Sequence, residues 1–493
     1  MRCLLAIVAV AGCTPERDDP SSPAEAGCGG VGGCALVEVP TNPLAVGVEL
    51  TASSARAGWV EVDGEPVTDP TSWDAGETVV LDVLHLAPGE EVEVTLVVDD
   101  EEVASWSHVP DPWLEPWPTA VVAGDRPEGL VCLNGAVGEG EHRGVTYLCS
   151  DAAGTPRWAL RPPDGSGPQM STPLRDGGHV LTLRPGLLGV VDDAGRWLRT
   201  WETTDLQGAT YVHERFGVHD VIELRSGRFE GALAALTRTD DVVDGELRGA
   251  NGIVVFDPTD GQVLFDWSAH GELGDDTSID PERLSYERWG VEGPIGADWM
   301  HANALVHVID EEGEGLLLSS RTQDWLLRLD LPSGLLRWRM GFEGDFELVD
   351  DLDDPVVQDD AGWFVHQHAP EIEVQADGRW RMLLVDNGNV RPEPAEPYSR
   401  LLELDVDLSA RRVVARTLWG SADPGDPAHW YSHAQGDLDR LPDGSLLWLE
   451  GNEPRASVLS GDGGAASWSV AYPDVGTSYR AEWRSAEPRR RSR

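Results

Sequence analysis

Apolar and polar residues alternate at every second position along much of this chain, in runs too short to be helices. VGVELTASSARAGWVEVDGEPV (46–67) and ETVVLDVLHLAPGEEVEVTLVVDD (77–100) are broken only by Gly, Pro and Asp turns. Side chains two apart share one face of a strand, so this period predicts a small antiparallel β-sandwich over 34–112. PDPWLEPWP (110–118) follows and reads as a rigid joint.

Beyond the joint one motif recurs, an acidic Gly turn followed by a strand that carries Trp. DAAGTPRW, DDAGRWLRTW, DPTDGQVLFDW, DLPSGLLRW, DVDLSARRVVARTLW and SGDGGAASW place Trp158, Trp201, Trp267, Trp338, Trp419 and Trp468. Six unequal copies with no sustained helical period predict an all-β fold, a six-bladed β-propeller over 113–478. The Trp residues are expected to pack between blades and to take no part in chemistry. Residues 479–493, ending EPRRRSR, are expected to be a disordered tail.

Between these turns lies a second repeat. His219, His301, His368 and His433 each lead an apolar strand, which a polar turn returns as a second apolar strand. If the Trp strands lie further out, the histidine-led strands are the inner ones and aim four imidazoles at one axis. LLLSSR ends in Arg321, and MLLVDNGNVR runs through Asn387 to Arg391, so guanidinium groups follow the same hairpins. His and Arg around a funnel suit a tetrahedral oxyanion. Arg400 has a competing explanation as the partner of a nearby carboxylate.

Composition narrows the chemistry. The 493 residues include 37 basic ones, all Arg, against 87 acidic, a formal net charge of −50. Without lysine there is no P-loop lysine, Schiff base or Ser-Lys dyad. The acid excess repels nucleic acid and anionic lipid, so no nucleic-acid partner is expected and any anion site must be a local island of Arg and His. No GxSxG elbow occurs, and no GxGxxG opens a helix. The doublet His366–His368 would share one strand face and keeps a metal-dependent hydrolase open, with Asp220 and Glu371 as further donors, although no metal or cofactor is expected.

The first residues, MRCLLAIVAVAGCTPE, combine one Arg, a short apolar run and a Cys. They resemble a lipoprotein signal peptide (1–12) whose Cys13 becomes lipidated, with a flexible tether over 13–33. That resemblance implies an exported protein anchored by lipid alone, and Thr14 after the Cys implies the outer membrane, on its periplasmic or cell-surface side. In an oxidising compartment, proximity pairs Cys28 with Cys34 and Cys132 with Cys149.

DWMHANALVHV with LLLSSRTQ, QHAPEIEV with LLVDNGNVR, PYSRLLELDVD and NGIVVFDPTDGQVLFDWS resemble the aryl-sulfate sulfotransferases over most of 115–470. The resemblance implies a PAPS-independent enzyme that moves a sulfuryl group from a phenolic sulfate donor to a phenol acceptor through a sulfohistidine. It implies His301 and His368 as sulfuryl-binding and acid–base residues, Arg391 as the charge clamp and His433 as nucleophile, with His429 competing. His219, Arg321, Asn387 and Arg400 are expected around the substrate. Three features depart from the family pattern: the lack of any Cys after Cys149, Pro370 two residues beyond His368, and the lipid anchor. The alternative function is a non-catalytic, lipid-anchored β-propeller that binds an extracellular ligand.

Overall fold

The computed structural model describes residues 28, 31–110, 119–124, 129–137, 144–160, 168–183, 186–243, 246–273, 297–350, 362–389, 391, 396–473, 475 and 477–484. Cys13, the signal peptide, nearly all of the tether and most of the Pro-rich joint lie outside these residues. Among the described residues the chain is almost wholly strand, with one five-residue helix, Ala269–Leu273, and one 3-10 turn, Thr203–Asp205. Among the described residues no helix is long and apolar enough to cross a membrane.

Two sheets form the N-terminal domain. One runs Gly33–Glu38, Val46–Thr51, Thr78–Val83, and the other is built on Arg56–Val62, Val92–Val98 and Glu101–His108. Their inward residues, among them Val46, Val48, Leu50, Val60, Val94 and Leu96, make one core, as the alternation predicts. Cys28 is bonded to Cys34, and Cys132 to Cys149, which face each other across one strand pair.

Among the described residues six sheets of four or five strands follow, antiparallel except for the short strands Ala297–Asp298 and Glu347–Val349, which pair in parallel. At one edge of each stands Pro168–Pro173, Arg215–Glu223, Ala302–Asp310, His368–Val374, Asp437–Arg440 or Ala481–Arg484. The first five pack consecutively, each on the next, which brings them around a common axis. The Trp strands lie on the far side of each sheet, and Trp158, Trp201, Trp267, Trp338 and Trp468 are buried in the cores there. Trp419 is half-buried. The ring is closed at both ends of the chain: Val121–Gly124 adds to the strand Trp468–Ala471, and Ala481–Arg484 adds to Leu130–Val137.

That closure corrects one expectation. Residues 479–484 are not tail: Tyr479 and Ala481 are buried, and 481–484 pair with a strand some 350 residues earlier in the sequence. The segment YRAEWR is short, but it alternates, and the ladder left open on Leu130–Val137 supplies the partner that makes a strand of it.

The two domains are joined by a buried polar latch. Asn42, fully buried, donates from Nδ2 to Ala194 O at 2.9 Å and accepts at Oδ1 from Leu44 N and Ala159 N. Gly195, at φ +91°, passes so close that a Cβ there would sit 2.9 Å from Asn42 Cβ. Arg196 pairs with Asp82 across the same contact.

Candidate active site

Three of the axial strands break their ladder where the histidines stand. Register shifts fall between Phe216 and Val221, between Ala302 and Ala304, and between His368 and Glu371. A bulge turns side chains away from the pleat, and here it turns imidazoles toward the axis. His301, His366, Ala369 and Gln435 hold positive φ, between 45° and 64°, an unfavourable conformation that recurs where the axial strands begin. Pro370 falls inside such a break, where its missing N–H costs no ladder bond.

The His219 and His301 rings lie 4.8 Å apart between centroids. Tyr479 stands 5.5 Å from the His219 ring and 6.0 Å from the His368 ring. His301, His368 and Tyr479 are buried, and His219 is half-buried. Buried Arg321 reaches the carbonyl of His433 at 3.5 Å.

His368 has a defined tautomer. Asn387, fully buried, uses both Nδ2 hydrogens, on Ser432 O at 2.9 Å and Gln435 O at 3.0 Å. Its Oδ1 therefore faces His368 Nδ1 at 2.7 Å, and only an Nδ1–H can satisfy it. The Nε2 lone pair points instead to Gln435 N–H, at 3.3 Å. Burial, then the Arg321 guanidinium, then the neighbouring His301 and His219 hold the His368 pKa well below the usual histidine range, against the pull of Asn387. His368 is thus a neutral imidazole with its proton at Nδ1 and its lone pair at Nε2.

His433 is exposed, with Nδ1 at 2.7 Å from Asn452 Nδ2 and its carbonyl bonded to Asn389 Nδ2. His429 donates from Nδ1 to Ser421 O at 2.9 Å.

Two expected residues are engaged elsewhere. Arg391 bonds Asp386 and Tyr398 O and stacks at 4.5 Å on the Tyr398 ring. Arg400 meets the same Asp386 at 2.8 Å through Nε and Trp363 O through its terminal amine. Asp386 is fully buried, and a carboxylate there has to be paired. Arg391, expected as the charge clamp, and Arg400, expected around the substrate, are thus both paired with Asp386.

Two recesses of about 190 and 180 Å3 share Asp437, Asp439 and Arg480 as walls, and the second also takes in Ala369, Pro370 and Glu371. No histidine ring lines either one. Asp220 accepts from Leu305 N and Arg480. Burial pushes the Asp437 carboxyl up to about 7 and the Asp439 and Glu371 carboxyls up as well. Among the described residues no three His, Cys, Asp or Glu side chains converge as metal ligands.

Tyr479, Gln435, Asn389, Asn452 and the Asp386 hub were not found by reading the sequence. Tyr479 left a signal, the alternation of YRAEWR; the amides left none, since Asn and Gln in turns are ordinary.

Fold and site together define an all-β protein of propeller type with a histidine-rich polar centre built on bulged axial strands. The family model for Arylsulfotransferase (ASST) matches residues 122–481, well over half of the chain, and the chain belongs to that family. The protein is accordingly an aryl-sulfate sulfotransferase, an enzyme and not a passive binding propeller. No curated protein matches the chain. Among solved structures it is similar to a protein of unknown function from Bacteroides caccae (11% identity, 72% of this chain and 98% of that one, TM-score 0.40). A catalytically inactive virginiamycin B lyase from Staphylococcus aureus is matched at 11% identity, 73% and 99% coverage and TM-score 0.35. BamB from Moraxella catarrhalis is matched at 11% identity, 81% and 95% coverage and TM-score 0.30. None of the three bears on the chemistry.

Proposed function

We propose that the protein moves a sulfuryl group from a phenolic sulfate ester to a second phenol in a ping-pong cycle, without a soluble nucleotide donor. The observation that carries this reading is the neutral, tautomer-fixed His368 beside Arg321 in a cluster of histidine rings. A neutral imidazole can hydrogen-bond a sulfuryl oxygen or move a proton without first being stripped of one. Arg321 supplies the charge that the transferring group requires, the role left open once Arg391 is paired with Asp386.

In the first half-reaction a lone pair on His433 forms the N–S bond. The aryl O–S bond breaks, and its electrons leave on the phenolate oxygen, which takes a proton from a site histidine. The second half-reaction reverses these steps with the acceptor phenol. His219, His301 and His368 hold the sulfuryl oxygens and handle the proton. Lipidation at Cys13 would anchor the exported chain to the outer membrane; Cys13→Ser then releases it from the membrane fraction.

The test is a chromogenic aryl sulfate with a phenol acceptor, followed by intact mass. Phenol release and a gain of one sulfuryl group are expected in the wild type, and neither in His433→Ala. A labelled His433→Ala protein transfers the role to His429, and an unlabelled wild type removes the covalent intermediate.

A further inference from the structure

His433 is fixed at both its backbone and its ring. Its carbonyl accepts from Asn389 Nδ2 and Arg321, and the preceding Ser432 N–H donates to Ser399 Oγ at 2.9 Å. The ring is held at one atom, Nδ1, by Asn452. Asn452 lies in the turn between strands Leu446–Glu450 and Arg455–Leu459, right after Gly451. A Cβ at 451 would sit 2.6 Å from Gln435 Cβ and 2.7 Å from Gly436 N, so only glycine lets this turn close on the 435–436 backbone. The turn therefore carries its amide to the histidine ring, and Ser478 N–H, bonded to Gly451 O at 3.0 Å, ties it to the C-terminal segment.

We propose that Asn452 is a positioning residue that sets His433 to react through Nε2 and holds its Nδ1 proton while the sulfuryl group is aboard. This rests on the reading of His433 as sulfuryl acceptor. With Nδ1 occupied, Nε2 is the ring nitrogen left for sulfur. As oriented, the amide donates from Nδ2, so the neutral ring keeps its proton on Nε2. Half a turn of the amide presents Oδ1 to an Nδ1–H instead and leaves the lone pair on Nε2. Attack then forms the Nε2–S bond, the S–O(aryl) bond breaks, and its electron pair leaves on phenolate, which takes a proton from a site histidine.

The sulfurylated ring is a cation only while Nδ1 keeps its hydrogen. In that state the group departs from a neutral imidazole; with the hydrogen lost, transfer would have to expel imidazolide, a far poorer leaving group. An amide oxygen accepts the Nδ1–H without removing it, and an amide alone, by turning, serves both the resting and the sulfurylated ring.

The test compares Asn452→Leu, Asn452→Asp and Asn452→Gln with wild type in single-turnover labelling followed by intact mass, in acceptor-driven unloading, and in pH–rate profiles. Asn452→Leu is expected to slow both half-reactions on the order of 100-fold with KM little changed. Asn452→Asp keeps an acceptor for Nδ1–H and adds a charge that favours imidazolium, so the acid limb of its profile moves up by about one pH unit or more. Asn452→Gln restores part of the rate. Should Asn452→Leu fail to fold, the Asp profile still decides. Wild type labelled at His433, with Leu labelled at the same rate or Asp showing an unshifted profile, overturns this inference alone. Wild type without label at His433 overturns the parent reading and takes this inference with it.

Discussion

Asn387→Leu separates a positioning role from mere packing, because the two side chains are close in volume. The change removes one acceptor and two donors: Oδ1 from His368 Nδ1–H, and Nδ2 from Ser432 O and Gln435 O. A buried polar group stripped of its partner costs about 1–3 kcal/mol. Ser432 O keeps Ser399 Oγ at 3.3 Å and His368 Nδ1 keeps His366 O at 3.2 Å, so the loss falls mainly on Gln435 O and totals about 1–3 kcal/mol. Urea unfolding should move its midpoint down without changing its slope. The rate effect is separate. With Oδ1 gone only the longer contact to His366 O, at 3.2 Å, holds the proton at Nδ1, so the tautomer is less firmly set and kcat should drop on the order of 10-fold. Asn387→Asp keeps the acceptor but adds a carboxylate beside the ring. It raises the depressed pKa of His368 and shifts the acid limb of the pH–rate profile upward. Wild-type rates in Asn387→Leu, or an unshifted profile in Asn387→Asp, would refute the tautomer argument.

Arg391→Met should destabilise the fold by about 2–3 kcal/mol, the charge of Asp386 being left to Arg400 alone, while kcat falls much less than in Arg321→Met. Equal losses of kcat would return the clamp to Arg391. Asn42→Ala should cost about 2–3 kcal/mol and loosen the two domains, read as faster protease cleavage between residues 110 and 120, because three hydrogen bonds of a fully buried amide are lost at once. His368 in the folded site resists a proton that the unfolded chain takes up below about pH 6.5, so stability should fall as pH drops through that value. The fall should be shallower in His368→Gln, in thermal melts at pH 7.5 and 5.

Much of this architecture was legible because it rests on repetition. The Trp turns and the histidine-led hairpins each mark a position in a sheet, and two interleaved repeats suffice to say which strand lies further from the axis. His219, His301, His368 and Arg321 follow from that register. The pairing of Arg391 was not legible for a physical reason: a guanidinium in a turn reads the same whether it awaits a ligand or a carboxylate, and Asp386, five residues earlier, ends an apolar strand that gave no sign of burying a charge. The amides that orient His368 and His433 come from turns 19 residues away in each case, and their partners exist only once the sheets are packed side by side. Tyr479 was hidden because a four-residue strand needs a ladder from the other end of the chain to be one.

The remaining question of charge is how so acidic a protein accepts an anion. Arg391 and Arg400 pair with Asp386, and Arg480 with Asp220; Arg321 is the guanidinium whose charge acts on His368. Repulsion has to be reduced from the other side, and burial does so. Asp437, Asp439 and Glu371, which wall the recess that begins one residue past His368, all have carboxyls raised by desolvation, Asp437 to about 7. An Asp raised in the folded state from 3.8 is protonated in both states below about pH 4, and its ionisation opposes folding increasingly as pH rises toward 7. The same ionisation adds negative charge to the recess that begins one residue past His368. KM for an aryl sulfate should therefore rise above about pH 7, on the order of fivefold for about 1 kcal/mol of partly screened repulsion. Asp437→Asn, whose Oδ1 can still accept from Ala481 N–H as Asp437 does at 3.1 Å, should flatten that rise and melt higher than wild type at pH 8 but not at pH 4. A KM that climbs with pH equally in both proteins would place the charge that matters elsewhere than in this recess.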